Sequence, residues 1–192
     1  MPERFIPPHG GYAGLLSYQK AEIVYDATVR FCDHYLDKFD RTRDQMIQAA
    51  RSGKQNIIEG SVASGTSKET EVKLTNVARA SLAELLADYR DFLRVRNLEE
   101  WPRDHPYTAR LRELNRTSGA DYETFRNAVE HPDPAICANS IIGLIKLTTY
   151  LLDQQIRRLE QDFLKEGGLR ERMTRARLAE RDNQRHKKDK RS

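Results

Sequence analysis

Residues 52–65, SGKQNIIEGSVASG, place a glycine-lysine pair beside two further glycines, the residue types from which a phosphate-binding loop is built. That loop needs a glycine-rich strand-to-helix turn ending in Gly-Lys-Ser or Gly-Lys-Thr, so that backbone amides surround the phosphate. Here Gln55 follows Gly53-Lys54, Gln48 stands where the first glycine belongs, and the surrounding pattern is helical. Nucleotide binding of that kind is excluded. Carboxylates are the next candidates for chemistry. Asn56 and Glu59 share one helical face, and Glu84, Asp88 and Asp91 follow one another at spacings of four and three. Such carboxylates hold divalent metals or transfer protons. Di-metal bundles add Glu-x-x-His pairs on two helices, and this chain has none. These residues read as a solvated face or as buried structural hydrogen bonding. The histidines, His9, His34, His105, His131 and His186, form no HExxH pattern, and neither Cys32 nor Cys137 has a partner at zinc-ligand spacing. No catalytic residue, metal site or cofactor is expected.

The charge distribution points to a different kind of function. Lys and Arg number 33 against 29 Asp and Glu, but residues 168–192 hold 10 against 4, leaving 23 against 25 in the rest. Basicity belongs to the tail. Its cations, Arg170, Arg172, Arg175, Arg177, Arg181, Arg185, Lys187, Lys188, Lys190 and Arg191, are the candidate contacts to RNA or DNA phosphates. They give affinity without reading sequence. A solvated terminus with no partner is the alternative. Trp101 and Tyr107 are placed either to stack on bases or, for Trp101, to anchor its segment, and Tyr89 reads as core.

The elements that position these residues are helical. Residues 15–38 carry Leu16, Ile23, Val24, Ala27, Phe31 and Tyr35 as one stripe at helical spacing. Asp40 can cap a second helix whose inward residues are Met46, Ala49, Ala50, Gly53, Ile57 and Gly60. Small residues on a packed face imply close helix contact; flexibility or an early helix end is the alternative at Gly60. Thr66 and Glu69 have capping-box spacing for a third helix reaching about residue 95, striped by Leu74, Ala78, Ser81, Leu82, Leu85, Tyr89 and Phe92. The pattern breaks over residues 96–133, where residues 107–114 and 122–129 are short helical candidates. Asp133-Pro134 starts a last long helix ending at Gly167-Gly168. Its core residues are Ile141, Leu144, Ile145, Thr148, Leu151, Leu152, Leu159 and Phe163, with Ile142, Thr149 and Ile156 on a flanking line. So wide an apolar arc implies self-association, a broad core face or cover from the insertion.

The expected architecture is all-α: an antiparallel up-down-up-down four-helix bundle over residues 12–167, with a helical and loop insertion at residues 96–133. Residues 168–192 form a basic tail, disordered or helical on contact. No stretch approaches the roughly 20 apolar residues of a bilayer span, no signal-peptide pattern opens the chain, and two cysteines suit a reducing compartment, so no membrane and a cytoplasmic location are expected.

Two segments carry a family resemblance. ARSGKQNIIEGSVASG and ARASLAELLADYRDF resemble the four-helix-bundle proteins encoded by intervening sequences of bacterial 23S ribosomal RNA genes, the S23-like family. That family includes the accessory variability determinant of diversity-generating retroelements. Asn56, Ile57, Glu59 and Gly60 match its first motif, and Ser81, Leu82, Glu84 and Leu85 its second. The match covers residues 15–95, with residues 134–166 supplying the last helix. The resemblance implies an antiparallel bundle assembled as a ring-shaped homopentamer, and for the accessory member binding of nucleic acid and a reverse transcriptase. The acidic balance outside the tail is one departure, and the insertion with the charged tail is another, the tail resembling the subset of the family with an added C-terminal segment. On the motif, Gly53 and Gly60 admit a close helix, and Asn56 and Glu59 reach Ser81 or Glu84 across it. Were Glu59 and Glu84 to share one site, one of them would hold a proton. Two functions follow as expectations: a non-enzymatic oligomer binding nucleic acid or a nucleoprotein, or a protein-interaction scaffold that uses the line of Ile142, Thr149 and Ile156 between subunits.

Overall fold

The computed structural model describes residues 9–117 and 119–189, and the described residues are helical with no strand among them. A single 3-10 turn (Tyr12–Gly14) precedes α1 (Leu16–Tyr35) and α2 (Arg41–Ala63). α3 (Lys68–Val95), α4 (Pro106–Arg116) and α5 (Tyr122–Val129) follow, then α6 (Pro134–Glu166) and α7 (Leu169–Asp189). α1 packs on α2 and α6, and α3 on the same two helices, so four long helices enclose one core.

Local chemistry explains the boundaries. The Asp40 carboxylate accepts from the Thr42 amide at 2.8 Å to start α2, and Asp133 accepts from the Ala135 amide at 2.8 Å, with Pro134 in the first turn, to start α6. α3 starts differently from the expected Thr66 and Glu69 box. α2 runs through Gly60 to Ala63, and the carbonyl of Ala63 takes both the Thr66 amide (3.0 Å) and the Thr66 hydroxyl (3.2 Å). Thr66 is therefore spent closing α2, and Ser67 caps α3 by accepting from the Thr70 amide at 3.1 Å. Glu69 instead pairs with Lys73 at 2.6 Å.

The buried arc of α1 is centred on Ser17, Val24 and Phe31, which leaves Leu16, at its edge on the first turn, 60% exposed. Phe31 lies at the centre of an aromatic cluster, its ring 5.0 Å from Tyr35, 4.9 Å from Tyr89 and 4.7 Å from Phe92. Tyr89 is fully buried, and its hydroxyl donates to the Thr28 hydroxyl at 3.1 Å.

Of the two glycines that face α3, Gly53 is the tighter. A Cβ there would stand 2.8 Å from Leu82 Cδ2 and 2.9 Å from Leu82 Cγ, whereas at Gly60 it would lie 3.4 Å from the Glu71 carbonyl oxygen and from Leu74 Cβ. Leu82 is fully buried, so it has little room to move. Alanine returns about 1 kcal/mol of helix propensity at either position, and overpacking costs roughly 1–3 kcal/mol only where a clash exists. Gly60→Ala is therefore expected to hold or raise the urea midpoint, and Gly53→Ala to lower it. Equal shifts in the two variants would contradict this packing.

The insertion covers α6. Leu111 of α4 and Phe125 and Val129 of α5 are buried, and a Cβ on Gly143 would stand 3.3 Å from Leu111 Cδ1. Both short helices of the insertion therefore pack on α6. Ile142 is 2% exposed within the single chain and belongs to the core, so the line it forms with the half-buried Thr149 and Ile156 is not an open surface between subunits. By length and composition the helical stretch from Pro134 qualifies as a membrane span, contrary to the sequence expectation, but 56% of its apolar window is buried inside the fold.

Polar ties hold the insertion down. The Trp101 amide donates to Asn139 Oδ1 at 2.8 Å, Asn139 Nδ2 donates to the Glu99 carbonyl at 2.9 Å, and Trp101 packs against the core, the anchoring role expected of it. On the α5 side the buried Lys20 donates to the Ala120 carbonyl at 3.0 Å and sits 4.9 Å from the Phe125 ring centre. Burial pushes the Lys20 pKa down, opposed by Asp121. Glu100 accepts from Arg90 Nε of α3 at 2.9 Å and from Lys146 Nζ of α6 at 2.6 Å. Burial pushes the Glu100 pKa up, but the hydrogen bonds and charges of Arg90 and Lys146 outweigh it and hold the carboxyl below its ordinary 4.5. A depressed carboxylate stabilises the fold above its unfolded pKa, and that contribution disappears as pH falls through the folded value. Glu100→Gln is expected to cost about 1 kcal/mol at pH about 7, after solvent screening of these half-exposed pairs, and less at pH about 3, below the ordinary carboxyl value. Urea midpoints at the two pH values provide the check.

Candidate nucleic-acid interface

α7 is separated from α6 by Gly167, whose φ of 72° is open to glycine and strained for other residues. The Glu171 carboxylate turns back to accept the Gly168 amide at 2.6 Å, and this opens the new helix. From Leu169 to Asp189 there is no glycine or proline, and Arg, Ala, Leu, Met, Glu, Gln and Lys dominate, all strong helix formers. Residues expected to be disordered, or helical only on contact, are thus a continuous helix, with Gln184 Nε2 donating to Glu180 at 2.9 Å one turn away.

The helix sorts the tail cations. At about 100° per residue, Arg170, Arg177, Arg181 and Arg185 fall within an arc of about 80°, and Glu171, Glu180 and Asp182 lie outside it. All four arginines are exposed. They span about 22 Å of helix axis, which faces roughly six or seven phosphates of one duplex strand. Arg172, half-buried, and Arg175, exposed, lie on the opposite side. Lys187 and Lys188 fall within α7, but their side chains lie outside the described residues, as do Lys190 and Arg191 altogether. Among the described residues α7 packs at most weakly on the four long helices, and Met173 and Leu178 leave its own apolar line about half exposed. A stripe of aligned, exposed cations is the chemistry that phosphate contacts require. The spacing needed to find it was present in the sequence once the segment is taken as helix.

The structure separates the other predicted motif residues. Gly53 and Gly60 face α3, as described above. Asn56 Nδ2 donates to the Ser52 carbonyl at 2.9 Å and to the Ser52 hydroxyl at 3.2 Å, and the Ser52 and Ser81 hydroxyls meet at 2.9 Å. The polar bridge from α2 to α3 thus runs through Ser52, one turn before Asn56, and reaches Ser81. Glu59 and Glu84 take no part in it, and both are exposed. The register set by Gly53 on Leu82 and Gly60 on Glu71 places them nearly three turns apart, roughly 15 Å along the axis, so no proton is shared between them.

Among the described residues, the carboxylates, thiols and imidazoles that the sequence offered do not gather into one centre. Asp88 has its pKa raised by burial and by Glu84 and Asp91, but Asp91 pairs with Arg94 at 2.8 Å, and among the described residues no three His, Cys, Asp or Glu side chains converge on a metal site. Cys32 and Cys137 are buried free thiols pushed up to about 12 chiefly by burial, which leaves them protonated and unreactive near neutral pH. His105 and His131 use Nδ1 to accept the amides of Tyr107 and Asp133 at 3.3 and 3.0 Å, and His34 Nδ1 lies 2.9 Å from the Arg30 carbonyl, so each is engaged with backbone. No protein-family model, no curated protein and no solved structure matches the chain.

Proposed function

We propose that this chain is a non-enzymatic, self-associating helical-bundle protein of the cytoplasm that binds RNA or DNA through α7. The observation that carries the reading is the stripe Arg170, Arg177, Arg181 and Arg185, exposed on a helix that stands clear of a body of opposite charge balance. A body carrying 23 basic against 25 acidic side chains gains little by contacting a polyanion itself, so the contact is concentrated in α7.

The same proposal includes the up-down-up-down four-helix topology and the kinship with the 23S intervening-sequence proteins. Contacts at both ends of α1 support an antiparallel arrangement with α6: the Ser17 hydroxyl donates to Gln155 Oε1 at 2.7 Å, and the Tyr35 hydroxyl donates to the His131 carbonyl at 2.6 Å. Gly53 against Leu82 and Gly60 against Glu71 support the same sense for α2 and α3. The kinship rests on the two motifs at residues 56–60 and 81–85, and the homopentamer rests on the kinship. With Ile142 buried, the scaffold reading loses the surface that motivated it.

Salt dependence tests the function. Four arginine-phosphate contacts predict that log K falls against log salt with a slope of roughly −3.6 on duplex. Anisotropy titrations of the full chain over a range of salt measure it. A slope near zero, or no binding at low salt, would remove α7 as a polyanion site.

A further inference from the structure

Three aromatic rings are gathered where the insertion leaves α3. The Trp101 and His105 ring centres lie 4.5 Å apart with planes 8° from parallel, Trp101 and Tyr107 lie 5.1 Å apart at 23°, and His105 and Tyr107 lie 5.6 Å apart at 29°. Rings on opposite faces of an indole would be separated by at least roughly 7 Å, twice the contact distance. His105 and Tyr107 therefore lie side by side on one face of Trp101. Trp101 packs against the core, so the two-ring layer looks outward, and Tyr107 is 53% exposed.

Backbone chemistry holds this layer rigid. The His105 ring accepts the Tyr107 amide, Pro106 fixes the first turn of α4, and the Thr108 hydroxyl donates to the Pro102 carbonyl at 3.3 Å. Arg112 donates to the Arg103 carbonyl and closes the turn beneath. Cations flank the rings. Arg103 is exposed in that turn, and Arg110 lies one turn beyond Tyr107 on the same face of α4, in a solvent-exposed pair with Glu113 at 3.2 Å that a phosphate can displace.

We infer that the His105–Tyr107 layer is a stacking platform for an unpaired nucleobase, with Arg103 and Arg110 taking the adjoining phosphates of a single strand. A flat ring pair backed by an indole presents a π-face to any base, and a duplex keeps its bases stacked on one another and out of reach. The inference rests on the α7 reading only for the class of polymer, and the two sites are physically separate. Trp101 is tied to Asn139 near the start of α6 and α7 follows its end, roughly 45 Å away at 1.5 Å per residue. α7 supplies salt-dependent affinity for any strand; the platform adds a preference for unpaired bases.

Trp101 is the chain's single tryptophan, so its emission reports on this site alone. The experiment titrates the full chain with a single-stranded oligonucleotide and with the duplex of the same sequence, following Trp101 emission and anisotropy in wild type, Tyr107→Ala and Tyr107→Phe. The single strand is expected to quench Trp101 and the duplex to leave it unchanged. Tyr107→Ala should weaken single-strand binding about 5- to 150-fold and leave duplex binding within about twofold, whereas Tyr107→Phe, which keeps the ring, should match wild type. Equal losses on both ligands, or duplex binding with no single-strand quenching, would overturn the platform and leave α7 standing. Quenching by single strands in a chain that shows no duplex binding would support the platform and overturn the α7 reading.

Discussion

Replacing Arg170, Arg177, Arg181 and Arg185 together with glutamine is expected to lower affinity for duplex RNA or DNA roughly a thousandfold at about 0.1 M salt and to flatten the salt slope by about 3.6. Each arginine that neutralises a phosphate releases about 0.9 of a condensed counterion, and four such contacts contribute more than three decades of affinity at that salt relative to about 1 M. Glutamine keeps helix propensity and length, so α7 itself should persist, and circular dichroism would verify it. The control replaces the exposed cations Lys38, Arg41, Arg51 and Arg116, which removes the same charge from the body and from α4. That variant should bind within about threefold of wild type, because these charges are dispersed and none of them lies on α7. Similar losses in the two variants would mean that net charge alone governs binding and that the stripe has no special role.

The largest effect on stability is expected at Phe31. Phe31→Ala removes a fully buried ring and its contacts to Tyr35, Tyr89 and Phe92, and should cost about 3–5 kcal/mol. For a chain of this size that corresponds to roughly 6–20 °C in Tm. The cost is high because Phe31 packs directly on Tyr89, whose hydroxyl bonds Thr28, so a cavity there also loosens a buried polar pair. Phe39, 94% exposed in the α1–α2 loop, supplies the contrast, and Phe39→Ala should leave Tm within about 1 °C. A Phe31→Ala chain that melts like wild type would mean the aromatic cluster is not the centre of the core.

Much of the fold could be read from the chain because its signals are local. Asp40 and Asp133-Pro134 start helices at those residues, and both short helices of the insertion form with nearly the expected limits, since caps and apolar spacing act within a few residues. What escaped depends on partners far away in sequence. The motif sent Asn56 and Glu59 toward Ser81 or Glu84, whereas the bridge to Ser81 is made by Ser52, beside Gly53, where α3 approaches closely. The flanking line of Ile142, Thr149 and Ile156 left self-association, a broad core face and cover from the insertion open, because the pattern along α6 does not say what packs on it; the fold buries Ile142 within the single chain. Glu59 and Glu84 seemed able to meet because spacing along each helix says nothing of the register between them. The α3 cap moved by one residue because Thr66 had a competing use in closing α2. At the candidate interface the reverse holds. The identity of the tail cations was plain, while their sorting into a stripe required knowing that the segment is helical.

The central claim, that a self-associating body binds nucleic acid through α7, is tested most directly by absolute mass. Light scattering on the full chain and on a chain ending at Gly167, each with and without a mixed pool of RNA and DNA fragments at low and moderate salt, measures assembly and binding together. The account predicts the same oligomer for both chains, with nucleic-acid mass gained at low salt by the full chain alone. Equal uptake by the shortened chain, or an oligomer indifferent to nucleic acid at every salt, would contradict it.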